Sequence, residues 1–369
     1  MFLEQALRAS GAIDRDMLAL DLCAAPGGKS THLRSLLTPG SLLVANEMVQ
    51  ERRRILAENC WKHGAGDVVI TGSEPKDLAD LPAFFDLIMV DAPCSGEGMF
   101  RKDPFARAQW SSELVARCAA TQTNILASAW DALASGGTLV YSTCTWEPSE
   151  NEEQVQRLIE RGAVPISVPI DPAWGFVSGE EDGAVGTRSY PHRVRGEGFF
   201  IAVLRKPGTS PERTDRSYGM AQGMDLGWTV GSDGFMFIEY REVVHAVGKQ
   251  WAAVIETLMD TMKIVAPGTP MAERKGTEWQ PHPAFAFSTK LGRAAFAEVM
   301  LDDATALSYL RGEALPAQNA QGVALATYKG RPLGWLNGAG SRWNNRYPAP
   351  WRIRGQHPKA PRVSWADTM

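Results

Sequence analysis

Two cysteines sit in polar segments where a thiol could do covalent chemistry. Cys94 lies in Asp91-Ala92-Pro93-Cys94-Ser95-Gly96, and Cys144 lies in Ser142-Thr143-Cys144-Thr145. The thiolate is the nucleophilic form of cysteine, and it attacks electron-poor carbon. A lone cysteine is more often a small buried packing residue, and Cys23, Cys60 and Cys118 are read that way. Cys94 and Cys144 differ because each follows an apolar strand-like run and has polar neighbours at the rim of what reads as one sheet.

One reaction needs such a set. Carbon 5 of cytosine is too weak a nucleophile to take a methyl group directly. A thiolate added at carbon 6 turns the ring into an enamine whose carbon 5 is reactive. A donor at ring nitrogen 3 must then stabilise the developing charge, and a desolvated Asp91 with a raised pKa is the candidate. Finally a base must remove the carbon 5 proton so that the thiol can leave.

A cofactor loop precedes these segments. Leu20-Asp21-Leu22 runs into Cys23, Ala24, Ala25, Pro26, Gly27, Gly28 and Lys29, with Ser30 opening a helix. Small residues let backbone approach a ligand, and the helix start offers unpaired N–H groups to a carboxylate. The loop fits neither Gly-x-Gly-x-x-Gly nor Gly-x-x-x-x-Gly-Lys-Ser/Thr, so nicotinamide cofactors and triphosphates fit poorly. Glu47, after the next strand, suits two ribose hydroxyls, or else pairs with the Arg52–Arg54 cluster at the surface. Glu74, after the third strand, is placed near an adenine.

The elements that position these residues alternate strand and helix. Strands are expected at 18–23, 41–45, 67–70, 85–90, 137–141 and 198–204, with helices at 30–37, 48–63 and 112–133. Gly64 is a ready stop for the second helix, and Ser149 with Glu152 suggests a capping box opening a helix over 150–161. Such alternation implies an α/β, Rossmann-like open sheet with helices on both faces. Residues 1–206 form this first domain. The stretch 207–227, rich in Pro, Gly, Ser and charge, reads as a linker. A small α/β region spans 228–290, with a strand at 235–240 and a helix at 243–259. Short strands fill 291–369.

The chain has 369 residues, of which 44% are apolar and 22% charged, a soluble globular composition. No apolar run suits a membrane span and no signal segment opens the chain, so a cytoplasmic monomer that meets no membrane is expected. Five cysteines without a Cys-x-x-Cys pair argue against a disulfide scaffold or a zinc site, and no metal is expected. The net charge of −4 hides an asymmetry: residues 321–366 hold no acid, but carry Lys329, Arg331, Arg342, Arg346, Arg352, Arg354, Lys359 and Arg362. Tyr328, Trp335, Trp343, Tyr347, Trp351 and Trp365 lie among them. Clustered cations attract phosphates and flat rings stack on unpaired bases, so RNA is the expected partner, through Lys329, Arg331, Trp335, Arg342 and Arg346.

At these residues the sequence resembles the Sun-type RNA cytosine-5 methyltransferase family, and within it the bacterial 16S ribosomal RNA methyltransferase group known as RsmF. The segments that carry the resemblance are those from Cys23 to Ser30, from Asp91 to Lys102, and from Tyr141 to Thr145 with Glu150-Asn151-Glu152. Arg188-Ser189-Tyr190-Pro191-His192, the run from Gly198 to Phe200, and the segment from Ala326 to Trp335 also fit. The resemblance implies S-adenosylmethionine as cofactor, contacted by residues Cys23 to Lys29, Glu47, Glu74 and Asp91. It assigns the nucleophile to Cys144 and product release to Cys94, and the chain end to a PUA-like small β-rich domain. Ribosomal RNA, or the small ribosomal subunit, becomes the expected substrate. Family members carry an RNA-binding region ahead of the helix at 1–9, so a short N-terminus is part of the expectation.

Rival readings are a catalytically inactive RNA-binding protein on the same fold, a transfer-RNA cytosine-5 methyltransferase, a Rossmann-type oxidoreductase, and a methyltransferase acting on DNA or protein. The intact cysteine segments oppose the first, and the glycine pattern opposes the oxidoreductase. The basic aromatic end favours RNA, whose sequence-specific readers grip unstacked bases.

Overall fold

A computed structural model describes residues 2–179, 185–209 and 224–355. The first unit alternates as its sequence requires. Helix α1 (Phe2–Ser10) leads into β1 (Leu18–Asp21), α2 (Gly28–Leu36), β2 (Leu42–Asn46), α3 (Gln50–His63) and β3 (Val68–Thr71). Then follow β4 (Phe85–Asp91), α4 (Pro104–Gln109), α5 (Ser112–Ala132), β5 (Leu133–Thr143) and α6 (Glu152–Glu160). Short β6 (Val164–Pro165), β7 (Val177–Ser178) and β8 (Thr187–Ser189) precede β9 (Phe199–Arg205).

These strands build one sheet. β3, β2, β1, β4 and β5 run parallel, β9 returns antiparallel against β5, and β8 and β7 extend that edge. β1 and β2 are buried along their whole length, which explains their unbroken apolar runs. One face packs α1 and α2 residues such as Leu7 and Leu33 against Leu43 and Met89. The other packs Ile125, Ala129 and Trp130 of α5 on Val44, Ile88 and Tyr141. Gly64 ends α3 at φ 76°, the left-handed position expected of it.

The region after residue 224 departs from the sequence expectation in two ways. The stretch expected as a helix at 243–259 is split into β11 (Val243–Gly248), paired with β10 (Phe235–Tyr240), and α7 (Ala252–Thr261). Residues 244–248 are all buried between the antiparallel neighbours β10 and β13, and that pairing overrides helix propensity there. The expected boundary at 228 is also crossed by packing. β12 (Ile264–Ala266) pairs antiparallel with β3 as the outermost strand of the large sheet, and Trp251, Ile255 and Leu258 join its core. β13 (Thr269–Lys275) and β14 (Glu278–Pro281) complete a four-stranded sheet with β10 and β11. Most of the expected linker, residues 210–223, lies outside the described residues, as does the tail from 356 with Lys359, Arg362 and Trp365.

The last unit holds β15 (Ala297–Leu301), α8 (Asp303–Arg311), β16 (Leu315–Ala320), β17 (Val323–Tyr328), β18 (Arg331–Gly338) and β19 (Gly340–Asn345) in a five-stranded sheet. The capping-box expectation at Ser149 fails. A 3-10 turn covers Pro148–Glu150, and α6 starts after Asn151 without a side-chain cap. Glu150 and Asn151 are both fully buried, committed instead to holding the cysteine segments.

Candidate active site

The parallel strands end at one rim, and a cavity of about 900 Å³ opens there. It is lined by Leu22, Cys23 and Ala25 after β1, by Asn46 to Val49 after β2, by Glu74 to Lys76 after β3, and by Asp91 to Cys94 after β4. Cys144, after β5, lies in the same wall. Binding beyond the carboxyl ends of parallel strands is the general rule for such sheets. The structure therefore gathers Cys23, Ala25, Glu47, Glu74, Asp91, Cys94 and Cys144 around one space. Ala24, Pro26, Gly27, Gly28 and Lys29 support its loop without lining it.

Gly27 shows why the loop needs glycine. Its φ is 109°, and a Cβ there would meet Asn59 Cβ and Leu56 Cδ1 of α3 at 3.3 Å. Lys29 turns back and donates to Asp91 Oδ2 at 2.7 Å, while Ser142 Oγ donates to Asp91 Oδ1 at 2.8 Å. This corrects the expected desolvated Asp91: its side chain keeps 30% exposure and both oxygens have partners, one of them cationic. Behind the loop, Asp21 is fully buried with Ser30 on one oxygen and no partner on the other. Burial pushes its carboxyl up to about 7.

Glu47 is buried, not the surface carboxylate of the alternative reading, although Arg52 does lie 3.3 Å away. It also accepts from the Val49 N–H at 2.9 Å, where α3 begins. Arg52 additionally donates to Ala25 O at 3.0 Å, tying the loop to α3. Glu74 is more exposed and pairs with Lys76 at 2.8 Å, a bond that holds its carboxyl below the ordinary range.

The two cysteines meet. Cys94 Sγ and Cys144 Sγ are 2.9 Å apart, and the Cys144 N–H donates to Cys94 Sγ at 3.3 Å. The Cys94 thiol donating to its neighbour lowers the Cys144 pKa, and Lys29 favours the same thiolate. That shared proton, with burial, pushes Cys94 up. One member of the pair is thus set to ionise while the other holds its proton.

Two buried glutamates clamp the cysteine segments together, a role that sequence reading missed. Glu97 accepts from Thr145 Oγ1 and from the Trp146 N–H, both at 3.0 Å. Glu150 accepts from the Ser95 N–H at 3.0 Å and from Gln122 at 2.8 Å. Asn151 accepts from Thr143 Oγ1 and donates to Thr145 O. Gly98 permits the approach: its N–H donates to Cys144 O at 2.8 Å, and a Cβ there would lie 2.7 Å from that oxygen. The signal available was a glutamate shortly after each cysteine segment, Glu97 and Glu150.

Other lining residues come from α5: Thr121, Asn124, Ile125 and Ser128. Their i, i+3, i+4, i+7 spacing was a legible stripe of one helix face. Cys23 lines the cavity rather than merely packing, with its thiol pushed up by burial. Cys60 is buried as expected, whereas Cys118, expected to be buried, is half-buried on α5 and does not line the cavity.

The cationic surface expected near the chain end needs two corrections. Trp335 is 1% exposed, packed on Phe285 and Phe296, with its Nε1–H on His282 O at 2.9 Å. Arg346 is 10% exposed and donates to Glu273 and to Pro281 O. Neither presents itself to a ligand: both fasten the five-stranded sheet to the four-stranded one. Lys329, Arg331 and Arg342 stand at the surface.

A family model for 16S rRNA methyltransferase RsmB/F matches residues 12–205, and one for the methyltransferase RsmF PUA domain matches residues 296–353. The chain is 34% identical over 364 residues to ribosomal RNA small subunit methyltransferase F of Klebsiella pneumoniae (strain 342), a match covering 89% of this chain and 72% of that protein. The corresponding protein of Serratia proteamaculans (strain 568) is 32% identical over 351 residues, again with 89% and 72% covered. Among solved structures, NSun6 from Pyrococcus horikoshii with SFG is 31% identical with a TM-score of 0.48, over 56% of this chain and 52% of that one. The chain thus spans about half of that solved relative. S-adenosylmethionine is the methyl donor of the matched family, and the rim cavity with buried Glu47 fits it. By these matches over both its units, the chain belongs to the RsmB/F family of 16S rRNA methyltransferases.

Proposed function

We propose that the protein methylates carbon 5 of a cytosine in RNA, with 16S ribosomal RNA of the small subunit as substrate, through a covalent adduct on Cys144. The observation that carries this reading is the thiol pair, 2.9 Å apart at the cavity wall beside Asp91. Relatives named for the small-subunit ribosomal RNA support the substrate.

The Cys144 thiolate adds to carbon 6 of the cytosine, and the ring electrons move toward carbon 5 and nitrogen 3. Asp91, anchored by Lys29 and Ser142, orients the base by accepting from its 4-amino group, and the Lys29 ammonium beside it offsets the charge that develops at nitrogen 3. S-adenosylmethionine would be held by Glu47 toward its ribose, Glu74 toward its adenine, and the lining residues Cys23 and Ala25 of the loop that ends at Lys29, and when bound it would supply the methyl group to carbon 5 and leave as S-adenosylhomocysteine. In the release step solvent in the cavity takes the carbon 5 proton, the electron pair of that C–H bond re-forms the carbon 5–carbon 6 double bond, and the bond to Cys144 breaks to return its thiolate, to which the Cys94 thiol donates. Cys94 serves this step, in sulfur contact with the group that must leave. The clamps through Glu97 and Glu150 keep the two sulfurs in register throughout.

Incubating the protein with labelled cofactor and either small ribosomal subunits lacking modification or, in parallel, unmodified transfer RNA, then analysing nucleosides, tests the reading. Label is expected in 5-methylcytidine. Label confined to another nucleoside refutes the chemistry, and label in transfer RNA alone refutes the substrate.

A further inference from the structure

We infer that α4 and the segment around His192 form a second RNA-binding face on the catalytic domain, which grips the single-stranded nucleotides flanking the target base. This rests on the proposed RNA chemistry and adds a surface and its ligand to it.

The first observation is an element with no core to serve. From Cys94 the chain passes through tight turns, Met99 N–H on Gly96 O and Asp103 N–H on Met99 O, directly into α4. Helix α4 buries none of its residues. Phe105 upon it is 76% exposed, and Trp110 at its end is 37% exposed. Scattered single apolar side chains are ordinary at a surface. Here two large rings share one short element with exposed Lys102 and Arg107. Rings interleaved with cations are what a single strand needs, because each base has a face to stack and each linkage a charge to neutralise.

The second observation comes from the other cysteine segment. Trp146, just past Cys144, lies 6.1 Å from the Tyr190 ring at 32°, and Tyr190 lies 5.5 Å from the His192 ring at 31°. These tilted rings lead from the reactive loop to exposed His192, Arg193 and Arg195. Arg101 joins the two features: its guanidinium donates to Pro191 O at 3.2 Å, Arg195 O at 3.0 Å and Gly196 O at 2.8 Å. Of the carboxylates within this face, Glu197 pairs with Arg101 through one oxygen while the other is buried, and Asp103 caps α4. The face therefore presents rings and positive charge beside both cysteines, and it suits an RNA strand whose target base turns inward.

The test uses the full chain and a fluorescent single-stranded RNA oligonucleotide containing one cytosine. Phe105→Ala with Arg107→Ala should weaken binding by about tenfold and flatten the salt dependence by about 1 in slope, with KM rising more than kcat falls. Cofactor affinity and melting temperature should not move, because these side chains are exposed, and Phe105→Tyr should restore binding. Wild-type binding and KM in the double variant would overturn the inference while leaving the proposed chemistry standing. Unchanged oligonucleotide binding with reduced methylation of whole small subunits would also overturn it, in favour of a protein-docking face. If the wild-type chain neither binds RNA nor transfers methyl to it, the proposed function and this face fall together.

Discussion

Replacing Glu47 with glutamine separates its charge from its shape. The Glu47 carboxylate is 4% exposed and accepts from the Val49 N–H at 2.9 Å, so a glutamine oxygen can keep that bond and the start of α3. What disappears is a charged acceptor in the cavity wall. Hydrogen bonds to a charged group contribute about 1.5–3 kcal/mol and neutral ones about 0.5–1.5 kcal/mol, so Glu47→Gln should cost about 1–1.5 kcal/mol of cofactor binding. At 1.4 kcal/mol per decade that is about a five- to tenfold rise in Kd. Glu47→Ala removes the whole interaction and should raise Kd by about 10- to 150-fold. It also strips Arg52 of a partner, and Arg52 ties down the Ala25 carbonyl. Calorimetric titration with S-adenosylmethionine, beside a thermal melt of each variant, measures both effects. Wild-type affinity in both variants would refute the placement of the ribose against Glu47.

Four further outcomes follow from burial and exposure. Arg346→Ala should lower stability by about 1–3 kcal/mol, because its bonds to Glu273 and Pro281 O are lost while Glu273 keeps Lys275 at 3.2 Å, and Trp335→Ala by about 3–5 kcal/mol through its cavity; denaturant melts check both. Arg342→Glu should instead leave the melt unchanged and flatten the salt dependence of RNA binding by about 1 or more in slope; an unaltered slope would remove this face from phosphate contact. His282, buried and held down to about 4, accepts from the Ala284 N–H on its Nδ1. Between about pH 6.5 and 4 only the unfolded chain binds its proton, so stability falls on acidification by about 1.4 kcal/mol per pH unit, and His282→Asn should reduce that slope. Asp21, raised to about 7, has the opposite sign: its contribution is present below about pH 4 and lost as pH rises through 7, so Asp21→Asn should steepen acid lability over the same window. Melting temperatures across pH 4–7 read both.

The alternating strands, the cofactor loop and the two cysteine segments at one rim were legible because each is local: an apolar run, a small-residue loop, a polar stretch after a strand. The split of 243–259 was not, because its apolar residues suit a helix until β10 and β13 are present to pair with them. Nor did the sequence tell that Ile264 and Ala266 would join the edge of the large sheet, a contact with Ile70 and Thr71 far earlier in the chain. Charge and aromatic density at the end overstated the ligand surface. Trp335 and Arg346 look identical in sequence to Trp351 and Arg342, and only the docking of one sheet on another buries the first two. Asp91 misled for the same reason in reverse: its polar partner Lys29 is distant in sequence, so a desolvated carboxyl was expected where an ion pair stands.

The division of labour between the cysteines is tested most directly by trapping. Cys94→Ala removes the sulfur that serves release but leaves the nucleophile, so it should accumulate an RNA–protein adduct that survives denaturing electrophoresis. Cys144→Ala should form no adduct and transfer no methyl group, and the double variant should match it. Thermal melts of the same proteins separate this from loosened packing, which costs stability without forming any adduct. An adduct in Cys144→Ala but not in Cys94→Ala would contradict the assignment, and no adduct in either, with RNA binding and fold intact, would contradict the covalent account itself.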